Sequence, residues 1–181
     1  MARREQDFYP TPDETIEAFL DVFEIRGGGI SILEPGAGDG NIVRALRRHG
    51  FFDIDAIEIR PEERKKLEAI CSQVEIGDFL DMDIQKKYDL IIGNPPFSLA
   101  LEFIQRAFQV VKPGGKVIFL LRTAFLESDR RFSFWQEPGH MPTGLYTLHK
   151  RPSFTGKGTD AQSYSWFVWD FSSDKQVIKV I

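Results

Sequence analysis

The chain has 181 residues, 42% of them hydrophobic, and its 27 acidic and 23 basic side chains give a formal net charge of −4. This length and apolar content suffice for one domain with a buried core. The single cysteine excludes a disulfide framework and a cysteine-rich zinc site, and the three histidines show no metal-ligand spacing. No apolar run approaches the roughly 20 residues of a membrane span, and no signal-peptide pattern opens the chain. We therefore expect one soluble, cytoplasmic domain over residues 1–181 without a metal site.

Helical and strand-like patterns alternate along the chain. Thr11 and Pro12, with Glu14 three residues after Thr11, predict a first helix with Thr11 as N-cap and Pro12 at its first position. Apolar runs predict strands at 30–34, 54–58, 74–76, 90–93 and 116–121, and two more at 145–150 and 164–169. Helices are predicted over about 41–49, 61–71 and 98–111, the last capped by Ser98, and residues 112–115 form a turn. The alternation predicts an α/β fold with a doubly wound, mostly parallel seven-stranded sheet.

The residues at the ends of the first three strands offer ligand-binding chemistry. The first strand runs into Glu34-Pro35-Gly36-Ala37-Gly38-Asp39-Gly40, whose glycines let the backbone pass close to a ligand before a helix N-terminus. The third glycine comes one residue too early for the dinucleotide pattern, and the acid at Glu34 suits a cationic ligand rather than a phosphate. Glu58 ends the second strand, where an acid can bind both hydroxyls of a ribose. After the third strand, Asp78 can accept from an adenine amine, with Phe79 packing on the adenine ring.

The fourth strand delivers a rigid corner, Asn94-Pro95-Pro96-Phe97. Its two prolines fix φ and remove two backbone donors, so the strand must end there. The carbonyls of Asn94 and Pro95, with the Asn94 side-chain oxygen, then form a rigid cluster of acceptors beside an aromatic ring. Such a cluster suits a flat ligand that carries an exocyclic amine. A plain turn is the alternative for a Pro-Pro pair, and the chemistry at the neighbouring strand ends favours the ligand site.

Together these motifs resemble the class I S-adenosylmethionine-dependent methyltransferases, and among them the small phage-type DNA N6-adenine methyltransferases. The matching segments, in the gamma order, are Phe8-Tyr9-Pro10-Thr11-Pro12, residues 34–40, Gly77-Asp78-Phe79, residues 94–97, Arg151-Pro152-Ser153-Phe154 and residues 164–169. The resemblance implies a Rossmann-like methyltransferase fold with an antiparallel C-terminal strand, S-adenosylmethionine as cofactor, and nucleic acid, DNA above all, as partner. Residues 1–26 would close over the cofactor, and no stretch is long enough for a separate target-recognition domain.

Residue roles follow from the same resemblance. The expected cofactor residues are Tyr9, Thr11, Pro12, Glu34, Gly36, Gly38, Glu58, Asp78, Phe79 and Asn94. The expected catalytic group is Asn94, Pro95, Pro96 and Phe97: the Asn94 side-chain oxygen and the Pro95 carbonyl each accept one N6 hydrogen, and Phe97 stacks on the flipped base. The expected substrate residues are Phe97, Arg122, Arg151, Phe154 and Lys157. Phe154 resembles a second stacking aromatic, and the three basic side chains would contact phosphate.

Other functions stay open on the sequence alone. Ribosomal RNA and protein-glutamine methyltransferases also use an Asn-Pro-Pro-aromatic corner, and a catalytically silent binding protein is a further alternative. The combination of Gly36, Glu58, Asp78 and Asn94 speaks against a silent protein. Residues 8–12 and the C-terminal aromatic strands fit the DNA group better. Any sequence selectivity would come from the loops at 122–143 and 151–163.

Overall fold

The computed structural model of the chain describes residues 10–25, 29–154, 158 and 160–181. Within these residues eight strands form a single sheet: β1 (Ile32–Pro35), β2 (Ile54–Glu58), β3 (Gln73–Ile76), β4 (Tyr88–Gly93), β5 (Val111–Arg122), β6 (Gly144–Thr147), β7 (Tyr164–Asp170) and β8 (Val177–Val180). The helices are α1 (Asp13–Leu20), α2 (Asn41–Arg48), α3 (Arg64–Glu68), α4 (Ala100–Val110) and α5 (Asp129–Gln136). Short 3₁₀ turns lie at Pro61–Glu63, Phe97–Leu99 and Thr123–Leu126.

The sheet has the strand order β3-β2-β1-β4-β5-β7-β6-β8. The five strands from β3 to β5 are parallel to one another, and β7 inserts antiparallel between β5 and β6. The predicted α/β, doubly wound, mostly parallel Rossmann-like sheet with an antiparallel C-terminal strand is confirmed. The predicted number of strands, seven, is wrong because β8 adds a strand parallel to β6. This edge strand leaves Ile178 84% exposed, so no burial pattern marks it in the sequence.

Helices cover both faces of the sheet. Ile16 of α1 and Leu46 of α2 pack with Ile32 in one core cluster, whereas Ile104 of α4 and Trp135 of α5 belong to the other. Along β4, Leu90 and Ile92 point into the first cluster and Ile91 into the second, as the alternation of a strand requires. Burial on both faces explains why these strands are continuous apolar runs. None of the helices in the described ranges is long and apolar enough to cross a membrane.

The structure corrects several predicted element ends. Helix α1 begins at Asp13, with Pro12 in the N-cap position and no side-chain cap bond, so the predicted Thr11 cap is wrong. Ser98 lies inside a 3₁₀ turn and Leu99 occupies the N-cap position of α4, so the predicted Ser98 cap is wrong too. The Thr11 side chain instead accepts a hydrogen bond from Asn94, directly after β4. Residues 112–115, predicted as a turn, lie within β5. They form an irregularity in the strand, since β5 already pairs with β4 at Val111.

Candidate active site

The carboxyl ends of β1 and β4 lie side by side at the centre of the sheet. From β1 the order continues through β2 to β3, and from β4 it continues to β5, so the sheet changes direction between β1 and β4. Ligands of open α/β sheets bind at such a switch point. The two strand ends approach each other closely here. A Cβ added to Gly93 would lie only 3.2 Å from the Pro35 carbonyl oxygen. The structure therefore brings the predicted glycine loop and the Asn94 corner to adjacent positions.

The glycine loop after β1 is tied to β2. The backbone N–H groups of Gly36 and Ala37 both donate to the Ile57 carbonyl oxygen, at 2.8 and 3.1 Å. Gly40 has φ +83° and precedes the first residue of α2. A Cβ on Gly40 would lie 2.6 Å from Ile70 Cδ1, so the Ile70 side chain would have to shift to admit a larger residue. The glycine thus combines a left-handed turn with a close packing contact.

Glu34 is buried where β1 enters this loop. Its side chain is 2% exposed, and its Oε2 accepts a hydrogen bond from the Val43 backbone N–H at 3.1 Å. Burial raises the pKa of the Glu34 carboxyl well above its usual range, the Val43 hydrogen bond opposes this, and the acidic neighbours Asp39 and Glu58 add to it. A positive group placed beside Glu34 would favour the ionised form. Glu34 thus anchors the first turn of α2, and a nearby cation would lower the pKa of its carboxyl.

Glu58 links the end of β2 to the glycine loop. The carboxylate is 3% exposed; Oε2 accepts from the Gly38 N–H at 2.7 Å, and Oε1 accepts from the Arg60 N–H at 3.0 Å and from Arg60 Nε at 2.9 Å. Sequence reasoning missed Arg60, whose one signal is its position two residues after the acid. A carboxylate has about four lone-pair sites, so these three donors do not exhaust its capacity as an acceptor.

Asp78 and Phe79 follow β3 on the same side of the sheet. Asp78 Oδ1 accepts from the Leu80 N–H at 3.0 Å, which fixes the turn that leaves the strand. Phe79 is 2% exposed and its ring centroid lies 5.1 Å from that of Phe103, so the ring packs in the core. Its contact with an adenine ring stays a prediction.

The segment before α1 lies against the site through Thr11. Its side-chain Oγ1 accepts from Asn94 Nδ2 at 3.1 Å, and its backbone carbonyl accepts from Asn41 Nδ2 at 3.0 Å. Thr11 is 5% exposed, and both hydrogen bonds are partly buried. Pro12 follows directly and its carbonyl accepts from Thr15 N–H at 3.0 Å at the start of α1. Tyr9, the other residue predicted for this segment, lies outside the described residues.

The Asn94 corner has a fixed side-chain orientation. Because Nδ2 points at Thr11, the Oδ1 atom at the other end of the planar amide faces away from Thr11. The turn after it is closed by a hydrogen bond from Leu99 N–H to the Pro96 carbonyl at 2.9 Å. Asn94 is half-buried and Pro95 is buried. The corner is therefore a preorganised polar group at the carboxyl end of β4.

An aromatic cluster adjoins this corner. The Phe97 ring centroid lies 5.3 Å from that of Tyr164 and 6.2 Å from that of Phe154, and Phe154 and Tyr164 are 5.1 Å apart. The Arg122 guanidinium lies over the Phe97 ring, 4.9 Å from its centroid. Three of the predicted substrate residues, Phe97, Phe154 and Arg122, thus come together. Arg151 is exposed, and Lys157 lies outside the described residues.

Tyr164 is a member of this cluster that sequence reasoning treated only as part of a strand. It pairs with Arg122 across β5 and β7, and its hydroxyl donates to Asp160 Oδ2 at 2.9 Å. Burial raises the pKa of Tyr164 to about 12; the nearby Arg122 guanidinium opposes this shift and the Asp160 carboxylate supports it. The proximity of Tyr164 to Arg122 can be predicted only once β5 and β7 are paired, because it follows from their antiparallel register.

Tertiary structure also brings three potential metal ligands together away from this edge. Within the described ranges, the ligand atoms of Glu17, Asp21 and His49 lie within 4.8 Å of one another. Glu17 is already engaged, since Arg48 forms an ion pair with it at 2.5 Å and His49 Nε2 lies 2.7 Å from its other oxygen. These contacts explain the cluster as a surface ion pair between α1 and α2.

Two characterised relatives are similar to this chain over part of its length. The Type II methyltransferase M.VspI of Vibrio sp. (strain 343) is 31% identical over 111 residues, which cover 54% of this chain and 27% of the relative. The Type II methyltransferase M.TthHB8I of Thermus thermophilus is 25% identical over 153 residues, which cover 66% of this chain and 35% of the relative. The chain thus spans about a third or less of the length of these two proteins.

Solved structures share the fold over most of the chain. A candidate class I S-adenosylmethionine-dependent methyltransferase from Listeria monocytogenes superposes with a TM-score of 0.68 at 16% identity, covering 94% of this chain and 65% of that protein. A candidate RNA methyltransferase from Pyrococcus horikoshii superposes with a TM-score of 0.62 at 18% identity, covering 90% of this chain and 86% of that protein. At these identities the likeness concerns the Rossmann-like methyltransferase fold alone.

The family itself is defined by a match over most of the sequence. The family described as a methyltransferase domain matches residues 4–155, which include the glycine loop, Glu58, Asp78 and the Asn94 corner. The same residues form the edge of the sheet described above. This chain therefore belongs to the methyltransferase-domain family.

Proposed function

We propose that this chain transfers a methyl group from S-adenosylmethionine to the exocyclic N6 amine of adenine in DNA. The observation that carries the proposal is the Asn94 corner. It is a set of acceptors at the switch point of a methyltransferase fold, with the Asn94 amide oriented by Thr11. Support for a DNA substrate comes from the Type II methyltransferases M.VspI and M.TthHB8I among the relatives.

The residues around the glycine loop fit the cofactor. When bound, S-adenosylmethionine supplies an electrophilic methyl group on a positively charged sulfur. Glu34 suits a cation, because a nearby positive charge offsets the burial that raises the pKa of its carboxyl. Glu58 has acceptor capacity for ribose hydroxyls beside the Gly38 N–H. Gly36 has φ +69°, and a Cβ there would meet a single side-chain atom, Phe103 Cε1 at 3.7 Å, so the loop backbone is open to a ligand.

The Asn94 corner would make the adenine N6 amine a better nucleophile. The N6 lone pair of adenine is delocalised into the ring. In our proposal, the Asn94 side-chain oxygen and the Pro95 carbonyl accept its two hydrogens, which draws the nitrogen toward tetrahedral geometry and localises the lone pair. Fixed dipoles of this kind stabilise developing charge without reorganisation. Asn suits the role because its carbonyl accepts without adding a charge.

Phe97 would hold the base against this corner. It follows the two prolines and is half-buried within the aromatic cluster. A base in a duplex must be extruded before its amine can be methylated, and stacking on an aromatic ring contributes about 1–3 kcal/mol per base. Phe97 would thus supply part of the free energy that keeps the base in place.

Methyl transfer to three substrates in parallel tests the proposal. Unmethylated DNA, RNA and total protein are incubated with tritiated S-adenosylmethionine, followed by nucleoside and amino-acid analysis. The expected product is N6-methyladenine in DNA, formed about 100- to 1000-fold more slowly with Asn94→Ala. Label found only in RNA, or only in protein glutamine, would show that RNA or protein is the substrate and not DNA. Calorimetry that finds no cofactor binding to the wild-type chain would contradict the whole proposal.

A further inference from the structure

We propose that Arg122 forms the second face of the slot that holds the flipped base, opposite Phe97. This inference rests on the proposed function and assigns Arg122 a stacking role, in place of the phosphate contact that its charge alone suggests. Arg122 lies at the end of β5, with its guanidinium 4.9 Å from the centroid of the Phe97 ring. The guanidinium is planar and stacks on bases as it does on aromatic rings.

The Phe97–Phe154 pair does not have the geometry of a base sandwich. A flat base between two faces needs near-parallel faces about 7 Å apart, which is two contact distances of roughly 3.5 Å. The Phe97 and Phe154 rings are inclined at 66° with centroids 6.2 Å apart, so one edge meets the other face. Phe154 also packs on Tyr164 at 70°. Phe154 therefore supports the side of the cluster rather than facing Phe97 across a gap.

Arg122 has the required position and freedom. It covers the Phe97 ring, so a base that stacks on this face must enter between the two groups. An outward shift of the guanidinium by about 2 Å would make room for one base. The Arg122 side chain is exposed, so a rotamer change achieves this shift without repacking the core.

Tyr164 lies beside Arg122 at the edge of the slot. Tyr164 is fully buried and pairs with Arg122 across the strands. The Tyr164 hydroxyl is itself fixed by Asp160, whose backbone N–H donates to the Pro152 carbonyl at 3.0 Å. The loop before β7 thereby fixes the Tyr164 side chain next to Arg122. This arrangement serves a positioned stacking group better than a mobile phosphate contact.

Substitutions at Arg122 separate stacking from charge. Lys keeps the charge but loses the planar group, whereas Gln loses the charge. If Arg122 stacks, Arg122→Lys should raise the KM for DNA about 3- to 30-fold, with cofactor affinity unchanged. Arg122→Gln should leave the salt dependence of DNA binding unchanged. If Arg122 instead contacts a phosphate, Arg122→Lys should bind DNA as the wild type does. Arg122→Gln should then flatten the log–log salt slope by about 0.9.

An oligonucleotide lacking the target base makes the test specific. With an abasic position at the methylated site, the binding penalty of Arg122→Lys should disappear, because no base remains between Arg122 and Phe97. Arg64→Lys and Arg64→Gln are matched controls, since Arg64 is an exposed arginine whose ion pair with Glu68 at 3.2 Å lies within α3. Both controls should behave as the wild type.

The outcomes distinguish this inference from the proposed function. Wild-type methylation of DNA, together with an Arg122→Lys penalty that needs the target base, supports both. Wild-type methylation with a wild-type-like Arg122→Lys, or with a flattened salt slope for Arg122→Gln, overturns the stacking role alone. If the wild-type chain binds cofactor but methylates no DNA, the proposed function fails and the role of Arg122 fails with it.

Discussion

At the scale of single residues, Asn94 is oriented by a partner 83 positions away in the chain, Thr11, which accepts a hydrogen bond from its amide nitrogen at 3.1 Å. The bond sets which end of the amide faces the proposed substrate. Asn94 makes none of the contacts described for Glu34 or Glu58, so cofactor binding and transfer should separate at this position. Substitutions of either Asn94 or Thr11 can therefore test the role of this hydrogen bond.

Removing the Asn94 amide should affect chemistry and spare the cofactor. We expect Asn94→Ala to lower the single-turnover rate of methyl transfer about 100- to 1000-fold, by analogy with the loss of one preorganised polar contact. Asn94→Asp should keep part of the activity, since a carboxylate accepts the same amine hydrogen. Rates at saturating cofactor and DNA, with cofactor affinity from calorimetry, check this. A wild-type rate for Asn94→Ala would make Asn94 a turn residue.

Thr11 should influence the rate through Asn94 alone. Thr11→Val keeps the shape of the side chain but removes the acceptor, and one hydrogen bond of about 0.5–1.5 kcal/mol corresponds to a rate loss of about 2- to 10-fold. Thr11→Ser should restore the rate. Since the Thr11 side chain does not cap α1, the serine and valine variants should melt at similar temperatures. Equal transfer rates for the two variants would show that the contact with Asn94 has no part in transfer.

At the scale of elements, a polar cluster joins three neighbouring strands at the edge opposite the site. Asp89 Oδ2 accepts from the Ser31 N–H at 2.9 Å, from the Ser31 hydroxyl at 2.8 Å and from Lys112 Nζ at 2.8 Å. The hydrogen bond from Lys112 is the main cause that lowers the pKa of Asp89 to about 2; burial opposes it and the Ser31 bonds add to it. The cluster thus fixes the starts of β1, β4 and β5 relative to one another.

This depressed pKa predicts how stability changes with pH. An acid with a folded pKa below its unfolded value of about 3.9 stabilises the fold at higher pH and loses that contribution as the pH falls toward 2. Because Asp89 and Lys112 are more than a third exposed, Lys112→Met should cost about 1 kcal/mol or less near neutral pH. Urea unfolding of both proteins from neutral pH down to about 2.5 should show the difference narrowing below pH about 4. A pH-independent difference would assign the cost to packing.

At the scale of the whole molecule, cofactor binding should stabilise the fold. The proposed ligand contacts residues after β1, β2, β3 and β4, so binding is linked to the integrity of the parallel half of the sheet. A ligand at 100 times its Kd adds about 2.7 kcal/mol to the free energy of unfolding. For a chain of this size that corresponds to a rise in Tm of about 5–10 °C.

Differential scanning fluorimetry with S-adenosylmethionine or its demethylated product measures this shift. Glu58→Ala should reduce the shift by weakening cofactor binding, because each lost ribose hydrogen bond costs about 0.5–1.5 kcal/mol. Arg64→Gln serves as the control and should keep the full shift. A full shift for Glu58→Ala would exclude Glu58 from the cofactor site.

The sequence by itself determined the layout of the parallel half of the sheet. Apolar runs buried on both faces mark β1, β2 and β4, and glycine and proline act on the φ of their own residues, so the loop at 34–40 and the corner at 94–97 are readable without coordinates. Parallel strands place their carboxyl ends at one edge. This rule alone gathers Glu34, Glu58, Asp78 and Asn94 into a candidate site.

The tertiary structure decided everything that depends on contacts between distant residues. Thr11 has the local pattern of a cap, yet its hydroxyl bonds Asn94 and α1 starts without it. The edge strand β8 lacks a buried face, so only its pairing with β6 defines it. Arg122 meets Phe97 because antiparallel pairing of β5 and β7 sets Arg122 opposite Tyr164. Which residues of two strands lie opposite each other depends on the pairing of the strands and on the connection between them, and the residues around Arg122 alone do not specify it.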